Sequence, residues 1–126
     1  MKVVINSCYG GFSLSPLAIS EIVKRKGRDV RFFKFRDTTP LTLEQVNNED
    51  YYTAHYADNL ECMNLSFGSD SDRSDPDVVA VVEKLGKAAN GNCAKLGIVE
   101  IPDDIEYEIH DYDGMESIHE KHRSWS

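Results

Sequence analysis

The chain has 126 residues, of which 40% are hydrophobic, and it carries a formal net charge of −8 at pH 7. This length predicts one domain, residues 1–126, with an apolar core of its own. The acidic balance argues against a nucleic-acid polymer as partner, because such contacts depend on many Lys and Arg side chains that neutralise phosphates. No apolar run approaches the roughly 18 residues of a membrane span, so we expect no membrane partner.

The first predicted elements are a strand at residues 3–5 and a helix that follows it. Ser15 and Pro16 are typical of a helix N-cap and of the first helical position, and Gly27 is a typical helix end. Residues 30–35 alternate weakly between apolar and polar side chains and predict a second strand. This order of strand, turn, helix and strand is typical of a βαβ-like or an α+β opening.

The middle of the chain is the hardest part to interpret. Residues 37–75 lack a sustained hydrophobic period, and we expect loops at residues 47–50 and 68–75. We interpret this segment as a variable or loop-rich excursion, which either leaves the core or acts as a mobile lid.

The last part of the chain predicts a helix, a strand and a hairpin. The helix begins at Asp75-Pro76 and ends near residues 90–91, and a strand follows at residues 96–101. Residues 105–109 alternate cleanly, and the turn sequence at 111–114 predicts that the chain folds back as a hairpin. The predicted fold class is therefore α+β, a small single domain of mainly antiparallel sheet with two principal helices.

The charges are spread unevenly along the chain. Residues 24–36 hold seven basic side chains and one acid, whereas residues 100–116 hold eight acids and no Lys or Arg. This asymmetry predicts either a local anion site or subunits that meet through opposite charges. Two solvated surfaces of opposite charge are an equal alternative.

The segment Gly10-Gly11-Phe12-Ser13 lies between the first strand and the first helix. A glycine turn in this position points backbone N–H groups and the positive end of the helix dipole outward, which suits a phosphate group. The segment matches neither of the established glycine-rich phosphate motifs. Phosphate contact and a tight structural turn therefore both remain as interpretations.

Three further residues carry suitable chemistry for a nucleotide. Asn92 lies in a polar loop after the second helix, where an asparagine side chain can pair with an edge of adenine. Arg123 and Trp125 supply a forked donor and a flat aromatic ring, suited to a phosphate and to a base or ribose. The structural alternatives are a helix C-cap around residues 90–91 and a C-terminal tail that docks in a groove.

The sequence offers no constellation typical of catalysis or of a metal site. The acidic run at residues 70–77 departs from the calcium-loop pattern at its sixth and twelfth positions. His119 and His122 could share a helical face, but they lack companion zinc ligands. Cys8 is either a reactive thiol or an inert buried one, and three separated cysteines suit a reducing cytoplasm. We therefore expect no metal, no cofactor and a cytoplasmic location.

Three strings in the sequence resemble small phage proteins, namely NSCYGGFSLS, DPDVVAVVEKLGKAANGNCAKLGIVEIPDDIEYEIHDYDG and EKHRSW. Together they resemble the family of phage Thoeris anti-defence sponges over residues 1–28 and 75–125. The resemblance implies a non-catalytic protein that captures glyco-cyclic ADP-ribose, the signal of bacterial TIR-domain enzymes, before it activates the Thoeris effector. It also implies homodimers, hexamers in some members, nucleotide pockets at subunit boundaries and, in some members, binding of cyclic oligonucleotides.

The candidate ligand contacts are chosen from residue chemistry, since the family's own contacts do not align residue by residue. Backbone amides and arginines would hold the phosphates, and an aromatic ring would stack on the base. The set comprises Gly10, Gly11, Phe12, Ser13, Arg28, Asn92, Arg123 and Trp125. One alternative is an enzyme that acts on nucleotide or nucleotide-sugar phosphates, and another is an interaction module without a small ligand.

Overall fold

The computed structural model describes residues 1–9, 11–35, 39–47, 52–59, 64–92 and 94–120. The strands are β1 (Lys2–Asn6), β2 (Val30–Lys34), β3 (Pro40–Leu41), β4 (Tyr52–Tyr56), β5 (Leu96–Glu100), β6 (Tyr107–Tyr112) and β7 (Met115–Glu120). The helices are α1 (Pro16–Arg25), the short α2 (Leu43–Val46) and α3 (Pro76–Leu85), with 3₁₀ turns at Asp72–Ser74 and Gly86–Ala89. The described elements form a small α+β domain with antiparallel sheets and two principal helices, which confirms the predicted fold class.

The described strands form three separate sheets. β1 pairs antiparallel with β5, with Val4 opposite Ile98, whereas β2 is the centre of a sheet of order β3-β2-β4. β6 and β7 form the predicted hairpin, whose two-residue turn is Asp113-Gly114. The βαβ-like alternative for the N-terminal part is wrong, because β1 takes its partner from the last third of the chain and shares no described sheet with β2.

Both principal helices begin with the cap and the proline that the sequence predicts. The Ser15 Oγ atom accepts a hydrogen bond from the Ala18 N–H group at 3.2 Å, and the Asp75 carboxylate accepts one from the Asp77 N–H group at 2.8 Å. Helix α3 ends before residues 90–91, because Gly86 adopts a φ of 57° and the chain continues as a 3₁₀ turn. Glycine adopts a positive φ without the steric cost that a Cβ atom brings, so it is a suitable residue at which to stop the α-helix.

The core lies between the two principal helices and the sheets. Val4 of β1, Ile22 of α1 and Val78 of α3 are fully buried and belong to one apolar cluster. Val46 and Ala54 belong to the same cluster and are also fully buried. The interpretation of residues 37–75 as an excursion does not hold for these side chains. Their elements, α2 and β4, are four and five residues long, too short to produce a recognisable hydrophobic period.

The basic residues at the end of α1 are paired with acids of the same chain. Lys26 Nζ lies 2.7 Å from a carboxylate oxygen of Asp75 and 3.2 Å from one of Asp77. Arg25 Nε lies 3.3 Å from Asp77, so α1 and α3 are joined by opposite charges. These pairs bring part of the basic segment into intramolecular contacts, which weakens the interpretation of residues 24–36 as a local anion site.

The Lys26–Asp75 pair gives a testable pH dependence. Burial raises the pKa of Asp75, but the hydrogen bond from Lys26 and the N–H groups of Asp77 and Val78 outweigh it, and the net pKa is lowered below its usual value. A carboxylate of this kind stabilises the fold fully above its unfolded pKa and loses that contribution as the pH falls through its folded pKa. The hydrogen bond to Asp75 likewise raises the pKa of Lys26, so the lysine stays charged throughout this range.

Asp75→Asn keeps a capping oxygen at the start of α3 and removes the charge. We expect it to lower the free energy of unfolding by about 1 kcal/mol near neutral pH, a usual magnitude for a partly exposed ion pair. Protonation removes the same charge from the wild type. The difference in the free energy of unfolding between the wild type and Asp75→Asn should therefore shrink below about pH 4. Urea unfolding across this pH range measures both effects, and a difference that does not vary with pH would contradict the assignment.

Candidate ligand-binding cleft

A cleft of about 380 Å³ opens beside the N-terminal end of α1. Its walls come from the loop that enters α1, from the end of α2 with β4, and from the loop that precedes β5. The lining residues are Ser13, Leu14, Ser15, Pro16, Val46, Asn47, Tyr52, Asn90, Gly91 and Asn92. The volume lies in the range of roughly 300–1,000 Å³ that is usual for small-molecule sites.

Hydrogen bonds join two of the loops that form this lining. The Gly91 N–H group donates to the Ser13 carbonyl at 3.0 Å, and the Ser15 N–H group donates to the Ala89 carbonyl at 2.9 Å. The Ser13 hydroxyl donates to the Asn92 carbonyl at 3.2 Å. Residues 13–15 and 89–92 therefore hold each other in place, and the shape of the cleft depends on both loops.

The contact between the two loops is close enough to require glycine at position 91. A Cβ atom at Gly91 would lie 2.3 Å from the Ser13 Oγ atom, 2.8 Å from its Cβ atom and 3.0 Å from its carbonyl carbon. Distances of this size force the loops apart, because the atoms of the Ser13 backbone cannot rotate away.

Gly91→Ala should therefore lower the free energy of unfolding by about 2 kcal/mol, as is usual when a well-packed contact is overfilled. Gly97→Ala is the matched control, because a Cβ atom at Gly97 has no neighbour within 4 Å. The control should change stability by less than about 0.5 kcal/mol. Thermal unfolding of both variants measures the difference, and equal melting temperatures would show that the loops are not in close contact.

The lining of the cleft is polar but uncharged among the residues that the structure describes. Asn90 uses its Oδ1 atom to accept a hydrogen bond from the Leu96 N–H group at 2.9 Å. Burial raises the pKa of Tyr52, so its hydroxyl stays protonated at neutral pH. Hydroxyl, amide and aromatic groups of this kind suit the sugar and base of a nucleoside. The phosphates of a dinucleotide would need cations from elsewhere.

The structure brings together part of the predicted site. Ser13 and Asn92 meet in the cleft, and Gly11 adopts a φ of 96° in the turn just before it. Phe12 does not line this cleft, and its ring lies against the guanidinium of Arg73 at 3.6 Å. Arg28 lies away from the cleft, and its Nη2 atom is 2.7 Å from a carboxylate oxygen of Asp58. Gly10, Arg123 and Trp125 lie outside the described residues.

Next to Phe12 lies a buried ion pair that was not predicted from the sequence. Arg73 Nη1 and Nη2 donate to the two carboxylate oxygens of Glu116 at 2.6 and 2.8 Å, and the two side chains are 5% and 4% exposed. The same guanidinium donates to the carbonyls of Gly68 and Val4 at 3.1 and 3.3 Å. Both charged residues lie in acidic stretches of sequence, where nothing marks them as buried.

The remaining candidates for chemistry have structural roles or lie apart. His119 lies on β7, where its ring stacks on that of His110 at 4.0 Å, so the helical-face hypothesis for His119 is wrong. His122 lies outside the described residues. Among the described residues, no three His, Cys, Asp or Glu side chains are placed to hold a metal ion. Within the same part of the chain, every helix is too short or too polar to reach across a bilayer.

Comparison of the chain with protein-family models, curated proteins and solved structures finds no match.

Proposed function

We propose that this protein is a non-catalytic phage anti-defence protein that binds and sequesters a cyclic ADP-ribose-type signal, glyco-cyclic ADP-ribose. Capture would prevent activation of the Thoeris effector in the infected bacterial cell. The proposal is supported by the resemblance of three sequence strings to the sponge family. The structural observation that carries it is the uncharged polar cleft of about 380 Å³ at the start of α1.

In this proposal the cleft takes the nucleoside part of the ligand. Two of the three asparagines that line the cleft, Asn90 and Asn92, offer amide groups to ribose hydroxyls or to an adenine edge, and Tyr52 offers an aromatic wall. Arg123 remains the candidate that neutralises the phosphates. Self-association as a dimer or hexamer is part of the proposal, since a second subunit would cover the open side of the cleft and slow ligand release.

Recovery of the bound ligand tests this function directly. The protein is incubated with glyco-cyclic ADP-ribose, freed of unbound nucleotide by gel filtration, denatured by heat and extracted for mass spectrometry. Recovery of the unchanged cyclic nucleotide supports sequestration. Recovery of a cleaved or rearranged product would favour the alternative, an enzyme that acts on nucleotide phosphates. Linear ADP-ribose in a parallel incubation controls for non-specific retention.

A protein that retains no nucleotide would overturn the proposal and favour an interaction module. Native mass spectrometry of the same sample reports the mass of the assembly and of the bound ligand together. Ligand at a hundred times its Kd should also stabilise the fold by about 2.7 kcal/mol through mass action. Thermal unfolding with and without the nucleotide therefore gives an independent measurement of binding.

A further inference from the structure

We propose that Arg73, held by Glu116, is a positioning residue for the cleft, because it fixes the ring of Phe12 and thereby the loop that carries Ser13. The consequence for ligand affinity rests on the proposed function, whereas the positioning itself does not.

The first step is that Arg73 has almost no freedom to move. Its guanidinium makes two parallel hydrogen bonds to Glu116 and one each to the carbonyls of Gly68 and Val4. Glu116 is itself fixed, since its Oε1 atom also accepts a hydrogen bond from the Asn6 N–H group at 2.8 Å. A planar, bidentate pair of this kind defines both the position and the plane of the guanidinium.

The second step is that this guanidinium holds Phe12. Its central carbon lies 3.6 Å from the centroid of the Phe12 ring, within the usual distance of a cation–π contact. Gly68 lies against the same ring, because a Cβ atom at Gly68 would come within 3.4 Å of the Phe12 Cδ1 atom. Contacts with a buried charge and with a backbone segment therefore constrain the Phe12 ring.

The third step is that Phe12 is joined directly to the wall of the cleft. The next residue, Ser13, accepts a hydrogen bond from the Gly91 N–H group and donates one to the Asn92 carbonyl. Moving Phe12 moves Ser13, and both hydrogen bonds between the two loops then weaken. The amide groups of Ser15 and Gly91, which bridge the two loops, are therefore direct reporters of the proposed positioning.

Phe12→Leu tests the proposal, because it keeps an apolar side chain and removes the flat face that contacts Arg73. We expect the amide hydrogens of Ser15 and Gly91 to exchange about tenfold faster in this variant, as local opening becomes easier. Phe12→Tyr retains the aromatic face and should restore wild-type exchange. The Ile101 amide, which donates to the Met1 carbonyl in the β1–β5 sheet, should exchange at an unchanged rate in all variants.

Phe33→Leu is the matched control. Phe33 lies on β2, where its ring contacts that of His55 on β4, and not in the loop before α1. Unchanged protection of Ser15 and Gly91 in Phe12→Leu would overturn the proposal, and so would an equal loss in Phe33→Leu. A loss that extends to Ile101 would indicate general destabilisation and would also overturn it. If the wild type binds glyco-cyclic ADP-ribose, Phe12→Leu should weaken binding about tenfold. Failure of the wild type to bind affects only the proposed function, because the exchange measurement needs no ligand.

Discussion

Glu116→Ala is expected to lower the free energy of unfolding by about 3–5 kcal/mol, the usual cost of removing one partner from a buried ion pair. The carboxylate is 4% exposed and accepts two hydrogen bonds from Arg73. Without it, the guanidinium stays buried with a positive charge and no counter-charge. For a domain at the lower end of the usual range of about 5–15 kcal/mol, this loss removes most of the free energy of unfolding. Urea unfolding at neutral pH measures it.

Two further variants test whether the loss of stability comes from an unpaired buried charge. The double variant Arg73→Met with Glu116→Leu should be more stable than Glu116→Ala, because replacing both charges by apolar groups leaves no unpaired charge. Lys2→Ala is the control for a surface pair, since Lys2 and its partner Glu83 are 47% and 43% exposed. It should cost less than about 1 kcal/mol. A Glu116→Ala variant as stable as Lys2→Ala would show that the pair is not buried in solution.

The parts of the fold that the sequence predicted are those determined by neighbouring residues. The two proline-started helices and the Asp113-Gly114 hairpin turn depend on contacts within a few residues. The pairing of β1 with β5 does not, because it joins residues almost a hundred positions apart. The short β3 and α2 were also not predicted, since two to four residues carry no detectable period.

The same distinction between local and distant contacts applies to the residues of the candidate site. Ser13 and Asn92 were each predicted from local chemistry, but their meeting depends on the close approach of Gly91 to Ser13, which no local pattern shows. Arg73 and Glu116 were not predicted, because burial of a charge depends on a partner 43 residues away. Phe12 or Trp125 was predicted to stack on a ligand, and the contact of the Phe12 ring with the buried Arg73 was not predicted.

Asn92→Asp is expected to weaken capture of glyco-cyclic ADP-ribose about a hundredfold, or about 3 kcal/mol of binding free energy. The substitution keeps the shape of the side chain, removes the amide donor and places a negative charge in the lining of the cleft. The charge would repel the phosphates of the ligand, and the lost donor would leave a polar atom of the ligand unpaired. The fold should be unaffected, because Ser13 bonds the backbone carbonyl of Asn92 and not its side chain.

Calorimetry at two salt concentrations separates the charge repulsion from the loss of the amide donor. Raising the salt to about 0.5 M should recover part of the loss in Asn92→Asp, since screening weakens the repulsion. In Asn92→Ala, which removes the whole amide group and adds no charge, the expected loss is about tenfold and should not vary with salt in this way. Asn59→Asp is the matched control, because Asn59 is exposed and does not line the cleft. If Asn92→Asp and Asn59→Asp bind the nucleotide equally well, Asn92 does not contact the ligand, and the cleft is not the site of capture.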